Sequence, residues 1–81
     1  MVEVTLYGKP GCHLCDDARD AILRVRNRLP FDLIEKNINE DTVLARDFGQ
    51  RIPVVWVGGR YFCEYIVRED ELARRIEALR G

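Results

Sequence analysis

The stretch Tyr7-Gly8-Lys9-Pro10-Gly11-Cys12-His13-Leu14-Cys15 joins a strand to a helix. Before it, Met1–Tyr7 (MVEVTLY) alternates apolar and polar residues and is rich in β-branched side chains, the pattern of a strand. Gly8-Lys9-Pro10-Gly11 has the composition of a turn. After it, Leu14, Ala18, Ala21, Ile22, Val25 and Leu29 recur at three- and four-residue spacing. That single apolar stripe predicts a helix running from His13 to about Leu29. Asp16 and Asp17 suit the positive end of its dipole, Arg24, Arg26 and Arg28 suit the negative end, and Pro30 closes it. A Cys-x-x-Cys pair therefore sits where the turn after a strand meets the start of a helix.

Working outward, Phe31–Ile38 (FDLIEKNI) reads as a second strand, and Asn39-Glu40-Asp41 opens a short helix carrying Val43, Leu44 and Phe48 that ends at Gly49. Pro53–Val57 is a third strand, apolar enough to be central. Gly58-Gly59 fits a two-residue hairpin turn, because both positions can take a positive φ. Arg60–Tyr65 (RYFCEY) is the fourth strand, and Glu69–Arg80 a final helix with Leu72, Ile76 and Leu79 on one face. The order β-α-β-α-β-β-α places the chain in the α/β class. Its first βαβ unit implies parallel pairing with a right-handed crossover, and its last hairpin implies antiparallel pairing. The sheet is expected to be mixed, with helices covering its faces. The alternation of the first strand implies that one of its faces is only partly covered.

The chain has 81 residues, read as one domain over 1–81, and a chain of this length has a thin core. Its 47% hydrophobic and 33% charged residues are ordinary for a globular protein, and 13 basic against 14 acidic side chains leave a net charge of −1. That balance carries no nucleic-acid footprint and no polybasic membrane patch. With no apolar run long enough to span a membrane and no charged-then-apolar leader, the expected location is the cytoplasm. We expect a monomer. Three cysteines are an odd number, unlike the even set of a secreted disulfide framework, so a tight pair points to redox work or metal binding.

Redox chemistry suits the placement. A residue at a helix N-cap can accept a hydrogen bond from a backbone N–H two or three positions on. At or near that cap, the Cys12 sulfur would face the N–H of Cys15, and the unpaired N–H groups and the dipole would favour a thiolate. Such positions bring a cysteine pKa from about 8.5 down to roughly 3.5–7.5. Lys9, and His13 when protonated, would add positive charge. Cys15, one turn into the helix, is expected to be less exposed and less acidic. Cys12 is then the nucleophile that forms a mixed disulfide, and Cys15 the residue that resolves it. Two alternatives remain open. One is a metal module, with Cys12, Cys15, His13 and Cys63 as ligands on paper, although structural zinc sites usually supply their ligands in two knuckles. The other is a redox-inactive domain that uses the same groove for recognition. Cys63, in a predicted strand among aromatic residues, reads as a small buried hydrophobe, and Trp56 as packing.

The sequence resembles the glutaredoxin-like proteins of the thioredoxin-fold superfamily, and the resemblance covers nearly the whole chain. It is carried by Leu6-Tyr7-Gly8-Lys9-Pro10-Gly11-Cys12-His13-Leu14-Cys15 and by Arg51-Ile52-Pro53-Val54-Val55, whose proline lies 41 positions after Cys12. The resemblance implies a four-stranded sheet in the order 4-3-1-2 with the third strand antiparallel to the rest. It also implies a cis proline at Pro53 facing the cysteines. It assigns substrate contacts to Tyr7 and Lys9, as in a glutathione groove, and leaves the backbone of Ile52 free to bind an extended substrate as an added strand. Arg51 and His13 complete the expected substrate-binding set. No tightly bound cofactor is implied. The variant of the metal reading is an iron–sulfur cluster shared between two subunits, with glutathione as an extra ligand.

The chain departs from the family after the last hairpin. There glutaredoxins carry Gly-Gly followed by an acidic pair, and hold a glutathione carboxylate on backbone N–H groups. Here Cys63-Glu64-Tyr65-Ile66-Val67 has no glycine, and Glu64, Glu69 and Asp70 add negative charge. The expected partners are disulfide-containing proteins or glutathione, and the expected reductant is either glutathione or a thioredoxin-reductase-like donor. His13-Leu14 replaces the common Pro-Tyr between the cysteines. A protonated histidine there would stabilise the thiolate and make the pair more oxidising.

Overall fold

Apolar periodicity sorts the chain into two layers on a sheet. The computed structural model describes residues 1–80, in the order β1 (Glu3–Gly8), α1 (His13–Arg26), β2 (Asp32–Asn37), a 3-10 turn (Ile38–Glu40), α2 (Thr42–Phe48), β3 (Val54–Val57), β4 (Arg60–Glu64) and α3 (Glu69–Arg80). The sheet order is β2-β1-β3-β4, which is the expected order read from the other edge. β1 runs parallel to β2 in the register Glu3↔Asp32 to Gly8↔Asn37, and antiparallel to β3 from Val4↔Val57 to Tyr7↔Val54. β3 pairs antiparallel with β4, and the register jumps from Val55↔Cys63 to Trp56↔Tyr61, so Phe62 is an extra residue in β4. This bulge turns both Phe62 and Cys63 toward one face, where they pack against the main core.

That core fills the space between the sheet and the pair α1/α3. Val4 and Leu6 of β1, Val55 and Val57 of β3, Ala18, Ile22 and Val25 of α1, Leu72 and Ile76 of α3, and Phe31 are all buried in it. Each fully buried Val, Leu, Ile or Phe contributes about 1.5–3 kcal/mol relative to exposure. The opposite face is thinner. Thr5 and Tyr7 on β1 are only half-buried, and α2 buries no residue completely. This explains the alternation in the first strand: its odd-numbered side chains face the layer that α2 only partly covers.

The predicted elements differ from the observed ones mainly at their ends. Gly8 belongs to β1 rather than to the turn. α1 stops at Arg26, and the Arg28 N–H closes a tighter three-residue turn on the Val25 carbonyl, which the Leu29 N–H also reaches. The residues between β2 and α2 form a separate 3-10 turn, capped by the Asn37 side chain accepting from the Asn39 N–H. Asp41 then caps α2 by accepting from the N–H groups of Val43 and Leu44. β4 ends at Glu64, because Tyr65 takes a left-handed φ of 69°. Leu79 lies half-exposed at the end of α3, against Gly58 of the hairpin turn. Both hairpin glycines have positive φ, 60° at Gly58 and 80° at Gly59.

Candidate functional site

The turn after β1 delivers Cys12 to the start of α1. Gly11, at φ 77°, makes the reversal that only a residue without a side chain makes freely. Cys12 is the N-cap of α1, and its Sγ accepts a hydrogen bond from the Cys15 N–H at 3.2 Å. The sulfurs of Cys12 and Cys15 lie at disulfide-bonding distance, with their Cα atoms 5.2 Å apart. Cys15 is 2% exposed, while Cys12 is partly open to solvent. The outer cysteine is thus approachable and the inner one is sheltered, which is the asymmetry expected of an attacking and a resolving thiol.

Cys15 is sheltered by a residue that sequence reading left in a turn. A side chain on Gly8 would place its Cβ 3.0 Å from Cys15 Sγ and 3.2 Å from Cys15 Cβ. The glycine at the end of β1 is the floor on which the inner sulfur rests. The available signal was a glycine closing a strand immediately before a chemically reactive helix start, a position that often marks the close approach of another group.

The second wall comes from the residues before β3. Ile52 is buried with Cys15 and Ile38 in a small cluster, and Tyr7, Cys12, Leu44 and Phe48 pack around it. The Ile52–Pro53 peptide bond is cis. Among the described residues no backbone partner takes the N–H or the C=O of Ile52. The loop therefore presents one unpaired peptide edge beside the cysteine pair.

The other predicted site residues are distributed around this core. Tyr7 stacks on Phe48 with ring centroids 5.0 Å apart, so it joins α2 to the sheet beneath the site. Lys9 is exposed and makes no ion pair among the described residues. His13 projects into solvent, and its Nε2 lies 3.6 Å from Asp17 Oδ2 one turn along α1. Arg51 is engaged. Its Nε and Nη2 donate to the two carboxylate oxygens of Glu64 at 3.3 and 3.2 Å, and its guanidinium lies 5.6 Å from the Phe48 ring centroid and 5.9 Å from that of Tyr61. Tyr61 Oη also donates to Glu64 at 3.0 Å. These bonds hold the Glu64 carboxyl below its ordinary pKa, Arg51 first and Tyr61 second. The negative charge that Glu64 brings to the region is thus matched within the fold.

A cleft of about 430 Å³ opens on the flank of Cys15 toward β2, between Lys9, Arg19, Lys36 and Glu40. Arg19 is held there by Glu35 and Asp16. Cys63 is not part of the site. It packs against the large α1/α3 core, and burial, with the nearby charges of Glu71 and Glu64, pushes its thiol up to about 11. Among the described residues no group of three or more His, Cys, Asp or Glu side chains is placed to hold a metal ion, and no helix is long and apolar enough to cross a membrane.

A mixed four-stranded sheet, α1 and α3 on one face, α2 on the other, and a cysteine pair opening α1 beside an X-Pro loop define a thioredoxin-fold chain. Solved structures agree. Protein Ne2328 from Nitrosomonas europaea is 25% identical with a TM-score of 0.79, over 91% of this chain and 89% of that one. Protein XcR50 from X. campestris is 29% identical with a TM-score of 0.76, over 93% and 96%. The malaria parasite's thioredoxin-2, 15% identical with a TM-score of 0.74 over 96% and 82%, shares the fold. No curated protein matches the sequence. Residues 3–77 match the family described as glutaredoxin-like domain (DUF836), and the chain belongs to that family.

Proposed function

We propose that this protein is a thiol–disulfide oxidoreductase, with Cys12 as nucleophile and Cys15 as resolving thiol. The observation that carries this reading is the Cys12 sulfur at the N-cap of α1, accepting the Cys15 N–H beside the unpaired backbone of Ile52. At a helix start the backbone N–H groups and the dipole favour the thiolate, the form that attacks.

In the reducing direction, the Cys12 thiolate attacks one sulfur of a substrate disulfide and expels the other as a thiolate, which takes up a proton. Cys12 is left in a mixed disulfide. Cys15 then loses its proton, attacks Cys12 Sγ and expels the remaining substrate sulfur. Two electrons have passed from the cysteine pair to the substrate, and the Cys12–Cys15 disulfide is closed. A second thiol donor reopens it. The substrate lies along Ile52 as an added strand, using the free N–H and C=O. Tyr7 flanks the groove, the fully buried Pro53 anchors the loop behind it, Lys9 offers a charge to a substrate carboxylate, and His13 reinforces the thiolate when protonated. Arg51 shapes the groove through its pair with Glu64 rather than as a free cation. The substrates are disulfide-containing proteins or glutathione mixed disulfides, and the donor is glutathione or a protein of the thioredoxin-reductase kind. The protein acts as a cytoplasmic monomer without a tightly bound cofactor.

The test is equilibration of the protein in glutathione redox buffers, with mass spectrometry of the Cys12–Cys15 disulfide. The expected result is a reversible intramolecular disulfide, loss of all disulfide-reductase turnover in Cys12→Ser, and a mixed disulfide trapped on Cys12 in Cys15→Ser. A glutathione adduct in that variant identifies glutathione as donor, and a reversible disulfide without it identifies a protein donor. Full turnover by Cys12→Ser would overturn the mechanism.

A further inference from the structure

Among the described non-glycine residues only Tyr65 has a positive φ, 69°, a region that side chains rarely adopt. Its N–H donates to the Pro53 carbonyl at 2.8 Å, and its phenol Oη donates to the Gln50 carbonyl at 2.9 Å. The N–H of Ile66 turns back to the Glu64 carbonyl at 2.9 Å, closing a three-residue turn about Tyr65. One residue thus holds both ends of the segment Gln50–Pro53. The preceding residue, Glu64, holds the middle of that segment through the Arg51 guanidinium. Unusual backbone conformations persist where their surroundings over-determine them, and such positions gather at ligand clamps. What these bonds enclose is the unpaired peptide edge of Ile52.

We propose that Tyr65 is a positioning residue for substrate: its phenol and its left-handed turn hold the Gln50–Pro53 segment so that the Ile52 backbone meets an extended peptide beside Cys12. This rests on the oxidoreductase reading and deepens it. Tyr65 acts through the loop, and therefore on how a peptide backbone is held rather than on the reactivity of the sulfur. The consequence is selectivity by substrate class. A disulfide flanked by peptide groups depends on the grip, whereas a small disulfide without a peptide backbone does not use Ile52. The phenol is half in solvent, so its bond is a modest, measurable latch rather than a folding requirement.

The experiment compares wild type, Tyr65→Phe and Tyr65→Gly. Phenylalanine keeps the ring and loses the latch, while glycine keeps the turn and loses both. Each is assayed with a peptide disulfide and with bis(2-hydroxyethyl) disulfide, and hydrogen exchange is followed at the amide of Arg51, which lies inside the gripped segment and donates to the Phe48 carbonyl just before it. We expect faster exchange at Arg51 in Tyr65→Phe. We also expect the ratio of kcat/KM for peptide over small disulfide to fall about two- to tenfold, as loss of one neutral hydrogen bond does, mainly through KM. Tyr65→Gly should lose the same ratio. An unchanged ratio in both variants, or an equal fall for both substrates, overturns the proposal. If the wild type shows no turnover, the oxidoreductase reading fails by itself, and Arg51 exchange alone decides whether the grip exists.

Discussion

The molecule has two apolar clusters built on different terms. The larger, between the sheet and α1/α3, draws on two strands, two helices and Phe31, and several of its members have no exposed surface at all. The smaller holds only Cys15, Ile38 and Ile52 as buried residues, and its outer shell of Tyr7, Cys12, Leu44 and Phe48 is half open. Both contain sulfur. Cys63 leans on the large cluster and is kept protonated by burial, while Cys12 and Cys15 belong to the small one and lie at a helix start. Stability is thus concentrated on one face, and the cysteine pair sits where packing is thinner.

The strongest way to break this division is to carve into both clusters. Ile22→Ala, in the large one, is expected to cost about 2–5 kcal/mol in urea unfolding. Leu44→Ala, beside the small one, is expected to cost about 1 kcal/mol and to act mainly on turnover. Equal losses would mean that the two clusters fold as one undivided core.

Gly8→Ala tests the floor of the small cluster. Its new methyl would stand 3.0 Å from Cys15 Sγ, so the inner cysteine must shift by a few tenths of an ångström. We expect a cost of about 1–3 kcal/mol from overpacking, and slower resolution, seen as accumulation of the Cys12 mixed disulfide by mass spectrometry. A wild-type resolution rate would show that Cys15 does not depend on this contact.

A further test sharpens the contrast between the sulfurs. With its pKa at about 11, Cys63 in the folded protein should react with iodoacetamide at pH 8 roughly a hundredfold more slowly than an ordinary exposed thiol. Because the folded-state value is raised, the stabilisation linked to Cys63 is fully present below the ordinary thiol range. It is lost as pH climbs through that range toward 11. Rapid alkylation of Cys63 in native protein at pH 8 would remove it from the large cluster.

Most of the framework was legible because it rests on periodicity and spacing. Alternation in Met1–Tyr7, the stripe through Ala18, Ile22 and Val25, and Gly58-Gly59 each carry their structural meaning locally. The cysteine pair was legible for the same reason, since an N-cap is a local arrangement. What escaped was non-local. Gly8 at the end of a strand marks the close approach of some group, but nothing local says that the group is Cys15. Nothing in Glu64 or Tyr65 announces that they will close on Gln50, Arg51 and Pro53, because that contact depends on the β3–β4 register and on the bulge at Phe62. Glu64 read as a free negative charge in the sequence, and only the fold supplies its arginine. Tyr65 read as the end of a strand, and its left-handed turn reflects tertiary bonds overriding local preference.

The grip on the Pro53 segment also has a consequence in time. Cys12 and Cys15 are three residues apart, but Tyr65 lies 53 positions after Cys12. A chain made from its N-terminus carries a dithiol able to close on itself well before it carries β4 and the turn that follows. On the ribosome, the cysteine pair comes first and the turn proposed to hold the Ile52 segment comes later. A nascent chain halted before β4 would carry the thiol pair without Glu64 and Tyr65, the residues proposed to hold the Ile52 segment for a peptide.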